Sequence, residues 1–418
     1  MLDKELFKVS SLNSISVLIK IGVGFVTSKM LAIFVGPTGM ALVGNLRNFI
    51  TSIENIGTLG FQNGVIKYLA EYENDAPKLK RIISTVVMTL VPIVLLLCGF
   101  LYFFSSYLND IIFGSDFKYK QIFVAFALSL PWYLASLFLI SILNGFGAYK
   151  KVIRINIYGN VIGLILSLLL IYYYHSFGAL LAVILGPAAL FFIAVFQLQP
   201  EVSLVKLWSS DSFDVSIIKD LSQYSLMALV SSVFGPLVFL SIRNSVIHNL
   251  GIEKAGYWEA ISRISSYYFL FLSTILTVYF LPKLSKAANN KETKIILWSC
   301  FNSVFPFFAI GLIVVYLLRT FIIALVFTKE FAPISDLFFW QIVGDLLKAL
   351  SLILGYQFFA KKLTIAFIFS ELFSLFVLYC SSVFLISKYG IEGVVIAHAV
   401  TYLTYLIVLL VYFRKSVF

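Results

Sequence analysis

Basic side chains interrupt several long apolar segments of the sequence. Lys20, Lys29, Arg47 and Arg263 are the four that we expect to have a chemical role. An ion at the centre of a bilayer costs about 2.5–3.5 kcal/mol on insertion scales, so it is retained mainly where it is paired or functional. Arginine can hold a phosphate group through two parallel hydrogen bonds, and lysine can hold it as a point charge. The four residues therefore predict a binding site for an anionic head group.

Neutral polar side chains follow the same segments at helical spacing. Steps of three and four residues place polar groups on one face of a helix, and lipid cannot surround such a helix on all sides. We expect this polar face to line a water-filled cavity. Its predicted residues are Asn45, Asn48, Asn55 and Gln341.

Acidic side chains inside apolar segments allow two explanations. Glu259 lies four residues before Arg263, so the two could form an ion pair along one helix. Asp345 lies three residues before Lys348 and could pair in the same way. Alternatively, the carboxylates could bind the proton or sodium ion that drives a transport cycle. The residues to which both explanations apply are Glu54, Glu259, Asp345, Lys348 and Glu371.

Several kinds of chemistry are not predicted. The three cysteines lie in apolar runs, and neither they nor the three histidines have the spacing of a metal site. The sequence lacks the G-x-x-x-x-G-K-[ST] loop that binds nucleotide phosphates. We therefore expect no metal and no cofactor, and the short connections predicted on the outer side argue against an enzyme.

The composition identifies the elements that must position these residues. Apolar residues form 61% of the 418 positions and charged residues 12%, whereas soluble domains contain about 25% charged residues. The apolar segments provide about twelve helices that could cross a bilayer, at about 20 residues each. We predict an all-α, multi-pass protein of the bacterial inner membrane. Ala41–Leu69 is the second predicted span, and Val152–Tyr174 and Phe177–Leu198 are the fifth and sixth.

The distribution of Lys and Arg predicts the orientation of the chain. With the N-terminus in the cytoplasm, the inner connections and the termini hold about three times as many basic residues as the outer connections. This asymmetry favours an even number of spans and places both termini in the cytoplasm. The net charge of +11 therefore reflects membrane orientation, and we expect no nucleic-acid partner.

An internal repeat divides the sequence into two halves. Residues of the same type recur after 214 positions, and such a constant interval indicates the duplication of a six-helix unit. The first match comprises Pro92 and Pro306, Phe113 and Phe327, Asp116 and Glu330, and Phe117 and Phe331. At nearly the same interval, Lys150-Lys151 recurs as Lys361-Lys362, and the segment that starts at Gly178 recurs at Gly393.

The repeat predicts the domain organisation. We expect an N-terminal six-helix lobe at residues 1–200, a cytoplasmic linker at 201–220 and a C-terminal six-helix lobe at 221–418. Because six is even, both lobes insert with the same orientation and are pseudo-symmetric. Substrate sites of such transporters lie at the interface between the repeats, so we expect a cleft between the lobes.

Four segments from both halves carry a family resemblance: Lys20–Phe49, Gly60–Tyr72, Tyr279–Lys286 and Leu337–Lys362. They resemble the Wzx oligosaccharide flippases, particularly those similar to the enterobacterial common antigen (lipid III) flippase. Wzx proteins belong to the multidrug/oligosaccharidyl-lipid/polysaccharide (MOP) exporter superfamily.

The resemblance implies a fold, a substrate and partners. It implies two lobes arranged in a V, as in the MATE transporters, which alternate between inward-open and outward-open states. The implied substrate is an undecaprenyl-diphosphate-linked repeat unit of O-antigen or enterobacterial common antigen, moved from the cytoplasmic to the periplasmic face. The implied partners are membrane lipid and the polymerase and chain-length proteins of the same polysaccharide pathway.

Three other functions remain open from the sequence. A multidrug or cation antiporter of the same superfamily would have a cavity dominated by acidic residues, whereas basic residues equal or outnumber acidic ones here. A major-facilitator transporter usually has a glycine- and arginine-rich loop after its second span, and EYENDAPKLKRI lacks this pattern. A membrane scaffold of a polysaccharide assembly complex would tolerate the loss of a single buried charge.

Overall fold

The computed structural model describes residues 4–73, 75–198 and 213–417, and all regular secondary structure in these ranges is helical. The helices of the first part of the chain are α1 (Lys4–Phe34), α2 (Gly36–Thr58), α3 (Gln62–Glu71), α4 (Ala76–Phe103), α5 (Ser105–Ile112), α6 (Lys120–Gly145) and α7 (Tyr149–Leu198). The remaining helices are α8 (Val215–Leu250), α9 (Ile252–Ile275), α10 (Leu281–Lys286), α11 (Asn290–Ser303), α12 (Phe305–Leu317), α13 (Arg319–Val326), α14 (Phe338–Ala360), α15 (Thr364–Tyr389), α16 (Glu392–Tyr412) and α17 (Arg414–Val417). A π-helical turn (Leu276–Phe280) joins α9 to α10, and a 3-10 segment (Lys329–Leu337) precedes α14.

Helix starts follow from local sequence signals. The Asp75 side chain accepts a hydrogen bond of 3.1 Å from the Lys78 N–H at the start of α4. At the start of α11, Asn289 Oδ1 accepts from the Glu292 N–H at 2.9 Å. The Glu292 carboxylate in turn accepts from the Ala288 N–H at 2.8 Å. The first two contacts satisfy backbone donors that the first helical turn leaves without a partner, and the third satisfies the donor just before the helix.

Helix length and hydropathy identify a multi-pass membrane protein. Eight helical stretches of the described residues are long and apolar enough to cross a bilayer. One of them, α7, has 50 residues and a non-helical break at His175, so it provides two spans. Helices α2, α8 and α9 are also long enough, although charged and polar side chains lower the hydropathy of α2 and α9. This arrangement accommodates twelve spans; the number itself and the cytoplasmic location of the termini remain predictions.

The second predicted span is wrong at its C-terminal end. Instead of one helix over Ala41–Leu69, the structure has α2, a short break and α3. Leu59 and Gly60 both adopt positive φ angles, 50° and 64°, which end α2. The break allows α3 to turn and bury Val65 and Leu69 in a core formed with α4 and α6.

The described part of the chain forms two compact units. The first unit comprises Met1–Val35 and Asn45–Pro236, and the second comprises Gly36–Gly44 and Leu237–Phe418. Residues 201–212 of the predicted linker lie outside the described residues, and α8 already begins at Val215. The predicted division at residues 200 and 221 therefore stays a prediction.

The same helix breaks occur in both halves of the chain. Phe104 separates α4 from α5 with φ −96° and ψ 14°, and 214 positions later Leu318 separates α12 from α13 with φ −91° and ψ 9°. Gly147 and Lys362, 215 positions apart, both adopt left-handed φ angles of 67° and 54° after α6 and α14. The repeat is therefore present in the backbone. The backbone also corrects the predicted match of Lys150-Lys151 with Lys361-Lys362, because Lys362 corresponds in conformation to Gly147 and not to Lys151.

The break within α7 has a glycine counterpart in the second half. His175 has φ 47° and ψ −124°, and Gly390, 215 positions later, has φ 60° and ψ −137°. These angles resemble the first central position of a type II′ turn, which favours glycine. Three residues after each break, a glycine (Gly178 or Gly393) packs against the carbonyl oxygen of Leu170 or Leu385. The backbone geometry is thus shared, but the first half places a histidine where it is strained.

Replacing His175 with glycine should stabilise the protein by roughly 1 kcal/mol, because relief of about 1–3 kcal/mol of strain exceeds the entropic cost of glycine. The matched change Gly390→Ala should destabilise it by a similar amount, since it introduces the same strain. The measurement is the free energy of unfolding of each purified variant in detergent. Lower stability of His175→Gly than of the wild type would contradict the assignment of strain.

Candidate functional site

The second unit contains a buried cluster of three ionic side chains from α8 and α9. Arg243 Nη2 lies 2.7 Å from Glu259 Oε2, and Arg263 Nε lies 2.9 Å from Glu259 Oε1. The ion pair between Glu259 and Arg263 that their spacing predicted is therefore present, and Arg243 joins it. The three side chains are between 3% and 9% exposed.

The cluster, which we call the arginine triad (Arg243, Glu259 and Arg263), has an aromatic wall and a glycine beside it. The Arg243 guanidinium lies 5.2 Å from the centroid of the Trp258 ring, a cation–π contact. A Cβ atom on Gly44 of α2 would collide with the Arg243 guanidinium and the Glu259 carboxylate. The triad therefore fits only because residue 44 has no side chain.

Replacing Gly44 with alanine should lower the stability by about 1–3 kcal/mol, the usual cost of overpacking, and should reduce transport by displacing the arginines. Gly311→Ala is the matched control, because a Cβ atom there meets nothing within 4 Å. The measurements are thermal unfolding in detergent and transport in vesicles. Equal stability of the two variants would contradict the close approach at Gly44.

A second polar cluster surrounds Asp345 on α14. The Asp345 carboxylate accepts hydrogen bonds from the Ser265 hydroxyl at 2.8 Å, from the Gln341 amide at 3.1 Å and from the Tyr268 hydroxyl. His398 Nε2 of α16 lies 3.0 Å from Asp345 Oδ1. The carboxylate is fully buried, at 0% exposure. Four neighbours from three helices therefore replace water around this charge.

The Asp345 cluster corrects two predictions. Asp345 does not form the predicted close ion pair with Lys348: its nearest nitrogen partner is His398 Nε2 at 3.0 Å, while Lys348 Nζ lies 4.5 Å from the Phe269 ring centroid and attracts Asp345 only at longer range. Gln341 does not line a cavity, since it is buried and donates to Asp345. Local spacing along α14 could not reveal the partner, because His398 comes from another helix.

The first unit holds a related carboxylate–tyrosine contact. The Tyr133 hydroxyl of α6 donates to Glu54 of α2, and the Gln62 side chain also hydrogen-bonds this carboxylate. In the second unit, Tyr268, which lies 214 positions after Glu54, donates to Asp345. In the first half of the repeat the acid lies on α2 and the tyrosine on α6. In the second half the tyrosine lies on α9, which corresponds to α2, and the acid lies on α14, which corresponds to α6.

The predicted cations of the first unit are accessible. Lys20 of α1 and Arg47 of α2 are exposed, and Lys29 is partly exposed. Arg47 is at the middle of the 23-residue α2, about 16 Å from either end at 1.5 Å per residue. An exposed charge at that depth would be costly against hydrocarbon, which favours a surface in contact with water. Arg263, in contrast, belongs to the second unit and is buried.

The predicted cavity-lining amides of α2 differ in exposure. Asn48 and Asn55 are partly exposed, and Asn55 Nδ2 donates to the Thr51 carbonyl at 2.7 Å. Asn45 does not line a cavity: it is 0% exposed, and its Nδ2 donates to the Ile112 carbonyl at 2.7 Å. That bond satisfies a carbonyl at the end of α5, so Asn45 packs helices together.

A hollow of about 190 Å³ lies elsewhere in the first unit, lined by Tyr68, Tyr72, Lys78, Arg81, Ile82, Asp214, Ser216 and Ile217. Asp214 accepts hydrogen bonds from the Ser216 hydroxyl and N–H, which lower the pKa of its carboxyl. The nearby Arg81 acts in the same direction. Lys78 and Arg81 of this hollow are exposed, and water weakens the attraction of an exposed charge, so the hollow is a weaker candidate for an anionic ligand than the buried arginine triad.

Sequence reasoning placed several residues of these clusters outside the candidate site. Arg243, Tyr133 and His398 lie within apolar segments whose spacing gives no partner. Tyr268 carried one usable signal, because the 214-residue repeat aligns it with Glu54. The arrangement of the described clusters suits two tasks: the triad can bind an oxyanion, and the Asp345 cluster can hold a cation or a proton.

The family of the chain follows from a direct comparison. A family model described as a polysaccharide biosynthesis protein matches residues 6–288, more than half of the sequence. The chain belongs to this family. Curated relatives of this polysaccharide biosynthesis protein include the lipid III flippases of Escherichia coli (strain K12) and Shigella flexneri. Each is 29% identical to the chain over 411 residues, which cover 96% of both sequences.

Solved structures confirm the fold of this polysaccharide biosynthesis protein. An inward-facing multidrug resistance MATE transporter of the MOP superfamily has a TM-score of 0.78 at 14% identity, covering 95% of this chain and 94% of the other. The lipid II flippase MurJ in an inward closed conformation has a TM-score of 0.77 at 17% identity, covering 98% and 87%. The chain therefore has the MOP-superfamily fold, and its long apolar helices are those of a multi-pass membrane protein.

Proposed function

We propose that the chain is a flippase that moves undecaprenyl-diphosphate-linked oligosaccharides from the cytoplasmic to the periplasmic face of the inner membrane by alternating access. The observation that carries this proposal is the alignment with lipid III flippases, which extends over 96% of both sequences. Because this alignment includes both units, the relatives share the whole transport fold with the chain. The chain is accordingly a transporter and not an enzyme.

The proposed head-group site comprises Lys20, Lys29, Arg47 and Arg263. Arg47 is exposed at the middle of its helix, and Arg263 Nη2 is buried without a hydrogen-bond acceptor among the described residues. Both features suit the binding of a diphosphate. Asn48 and Asn55 of α2 would hydrogen-bond sugar hydroxyls, while the lipid tail stays in the bilayer. Each access state must bind the head group on one side while the other side is closed.

We further propose that the buried carboxylates couple transport to an ion gradient. Glu54, Asp345 and Glu371 are the candidates, because each is a carboxylate placed within a membrane-spanning helix. Tyr133 donates a hydrogen bond to Glu54, and Tyr268 donates one to Asp345. Protonation of either carboxylate would weaken its bond from the tyrosine. Transport at an unchanged rate after collapse of both proton and sodium gradients would remove this part of the proposal.

The charge of the arginine triad favours a lipid-linked anion over a cationic drug as the substrate. Its triad holds two arginines and one glutamate, a net formal charge of +1 that would repel a cation. O-antigen and enterobacterial common antigen units share the diphosphate, and the lipid III flippase relatives favour the latter. Polymerase and chain-length proteins would then act on the translocated product as partners.

The decisive experiment is translocation in proteoliposomes. Purified protein is reconstituted with an undecaprenyl-diphosphate-linked oligosaccharide, and an impermeant sugar-modifying enzyme outside the vesicles measures its appearance on the opposite leaflet. We expect time-dependent labelling beyond one half of the substrate with the protein and a plateau at one half without it. Identical plateaus, together with raised drug resistance in cells, would instead support the multidrug antiporter.

A further inference from the structure

One carboxylate serves two arginines in the arginine triad. Glu259 uses Oε2 for Arg243 Nη2 and Oε1 for Arg263 Nε. Both arginines lie in a region that excludes water, with 2% and 4% of their surfaces exposed. The single negative charge of Glu259 therefore leaves a net positive charge inside the second unit.

The triad also has more donors than acceptors. Arg243 Nε, Arg243 Nη1 and Arg263 Nη2 are buried and have no hydrogen-bond partner among the described residues. A buried, charged donor without an acceptor is unfavourable, and folded proteins normally provide a partner for it. The Trp258 ring faces the Arg243 guanidinium but has no lone pair to offer. Three guanidinium nitrogens therefore remain available to donate to an oxyanion.

We propose that Glu259 occupies, in this conformation, the place that a phosphate of the lipid-linked head group takes in another conformation of the transport cycle. Arg243 and Arg263 together form the phosphate site, and Glu259 is an internal anion that competes for it. This inference rests on the proposed flippase function and adds Arg243 and Glu259 to its binding site.

Competition by Glu259 meets a requirement of transport. A site with two buried arginines and no internal anion would hold a diphosphate tightly in every state, and release on the far side would be slow. A carrier advances only when its affinity for the ligand differs between conformations. Glu259 lowers the affinity in the conformation where it contacts both arginines, so it assists release of the head group.

The test compares binding of undecaprenyl diphosphate with that of undecaprenol, which has the same tail and no phosphate. Thermal unfolding of the purified full-length protein in detergent gives the apparent affinities. The wild type should respond to the diphosphate only. Arg243→Gln should weaken diphosphate binding by roughly tenfold or more, as expected for a lost charge-assisted hydrogen bond.

Glu259→Gln should have the opposite effect on binding. Its affinity for the diphosphate should rise by roughly tenfold, because the internal competitor is lost, while its turnover in proteoliposomes should fall. If the triad were only structural, Arg243→Gln and Glu259→Gln would not change the affinity for the diphosphate in opposite directions. The matched control is Arg319→Gln, since Arg319 of the same unit bonds Ser335 and the Tyr316 carbonyl away from the triad.

A charge-matched variant keeps the test informative if Glu259→Gln does not fold. The double variant R243Q/E259Q has the same net charge as the wild type, and it should bind the diphosphate more tightly than R243Q alone. Equal or weaker binding after removal of Glu259 from either background, with normal wild-type translocation, would overturn the inference and leave the proposed function intact. Failure of the wild type to translocate the oligosaccharide would instead overturn the proposed function, and the inference with it.

Discussion

Replacement of Arg47 with alanine should reduce oligosaccharide translocation by at least about a hundredfold, the expected loss when a bidentate arginine–phosphate contact disappears. Arg47 is exposed at the middle of α2, so its truncation leaves no cavity in a buried core. Membrane insertion and thermal stability should therefore remain close to those of the wild type. The measurements are proteoliposome translocation and the melting temperature in detergent.

Two further variants separate the charge of Arg47 from its shape. Arg47→Lys should retain part of the activity, because lysine keeps the positive charge but cannot form the paired hydrogen bonds. Arg154→Ala is the matched control, since Arg154 is an exposed arginine of the same unit. Wild-type transport by Arg47→Ala would remove Arg47 from the head-group site.

The membrane makes the helices predictable from sequence. Each backbone polar group must find a partner inside the spanning segment, so long apolar stretches have to be helical. The 214-residue repeat also predicted real features, because breaks at Phe104 and Leu318 recur at this interval. The break at Leu59 was missed, since a leucine with φ 50° contradicts its own preference and depends on the packing of α3.

The partners of the buried charges were predictable only where they were local. Glu259 and Arg263 are four residues apart on one helix, and their contact follows from helical geometry. The same reasoning failed for Asp345, whose contacts Ser265 and His398 are 80 and 53 positions away. Helix packing decides such contacts, and the spacing of residues along one helix does not contain that information.

Buried Arg243 is a second charge whose partner could not be identified from the sequence. Its position within an apolar segment showed that a charge must be accommodated, but nothing adjacent identified Glu259, 16 positions away on α9, as the acceptor. Gly44 likewise had no distinguishing neighbour in sequence, although the triad depends on its missing side chain. A candidate site built from spacing alone therefore omitted Arg243 and Gly44, which the structure brings together with Glu259.

Replacement of Asp345 with alanine should destabilise the second unit by about 3–5 kcal/mol, because each buried donor left without an acceptor costs about 1–3 kcal/mol. The change leaves His398, Ser265, Tyr268 and Gln341 without their shared acceptor in a region that excludes water. Asp336→Ala, at an exposed carboxylate of the same unit, should change the stability by less than about 0.5 kcal/mol. Unfolding in detergent measures both values.

Asp345→Asn distinguishes structural support from ion coupling. Asparagine keeps one acceptor oxygen and nearly the same shape, so it should preserve more of the stability than alanine does. Because it cannot ionise, it should abolish any dependence of translocation on an imposed ion gradient if Asp345 is a coupling residue. A gradient response equal to that of the wild type would confine Asp345 to holding α9, α14 and α16 together. The acid would then serve the transport cycle only by fixing α9, which carries Glu259 and Arg263 of the arginine triad.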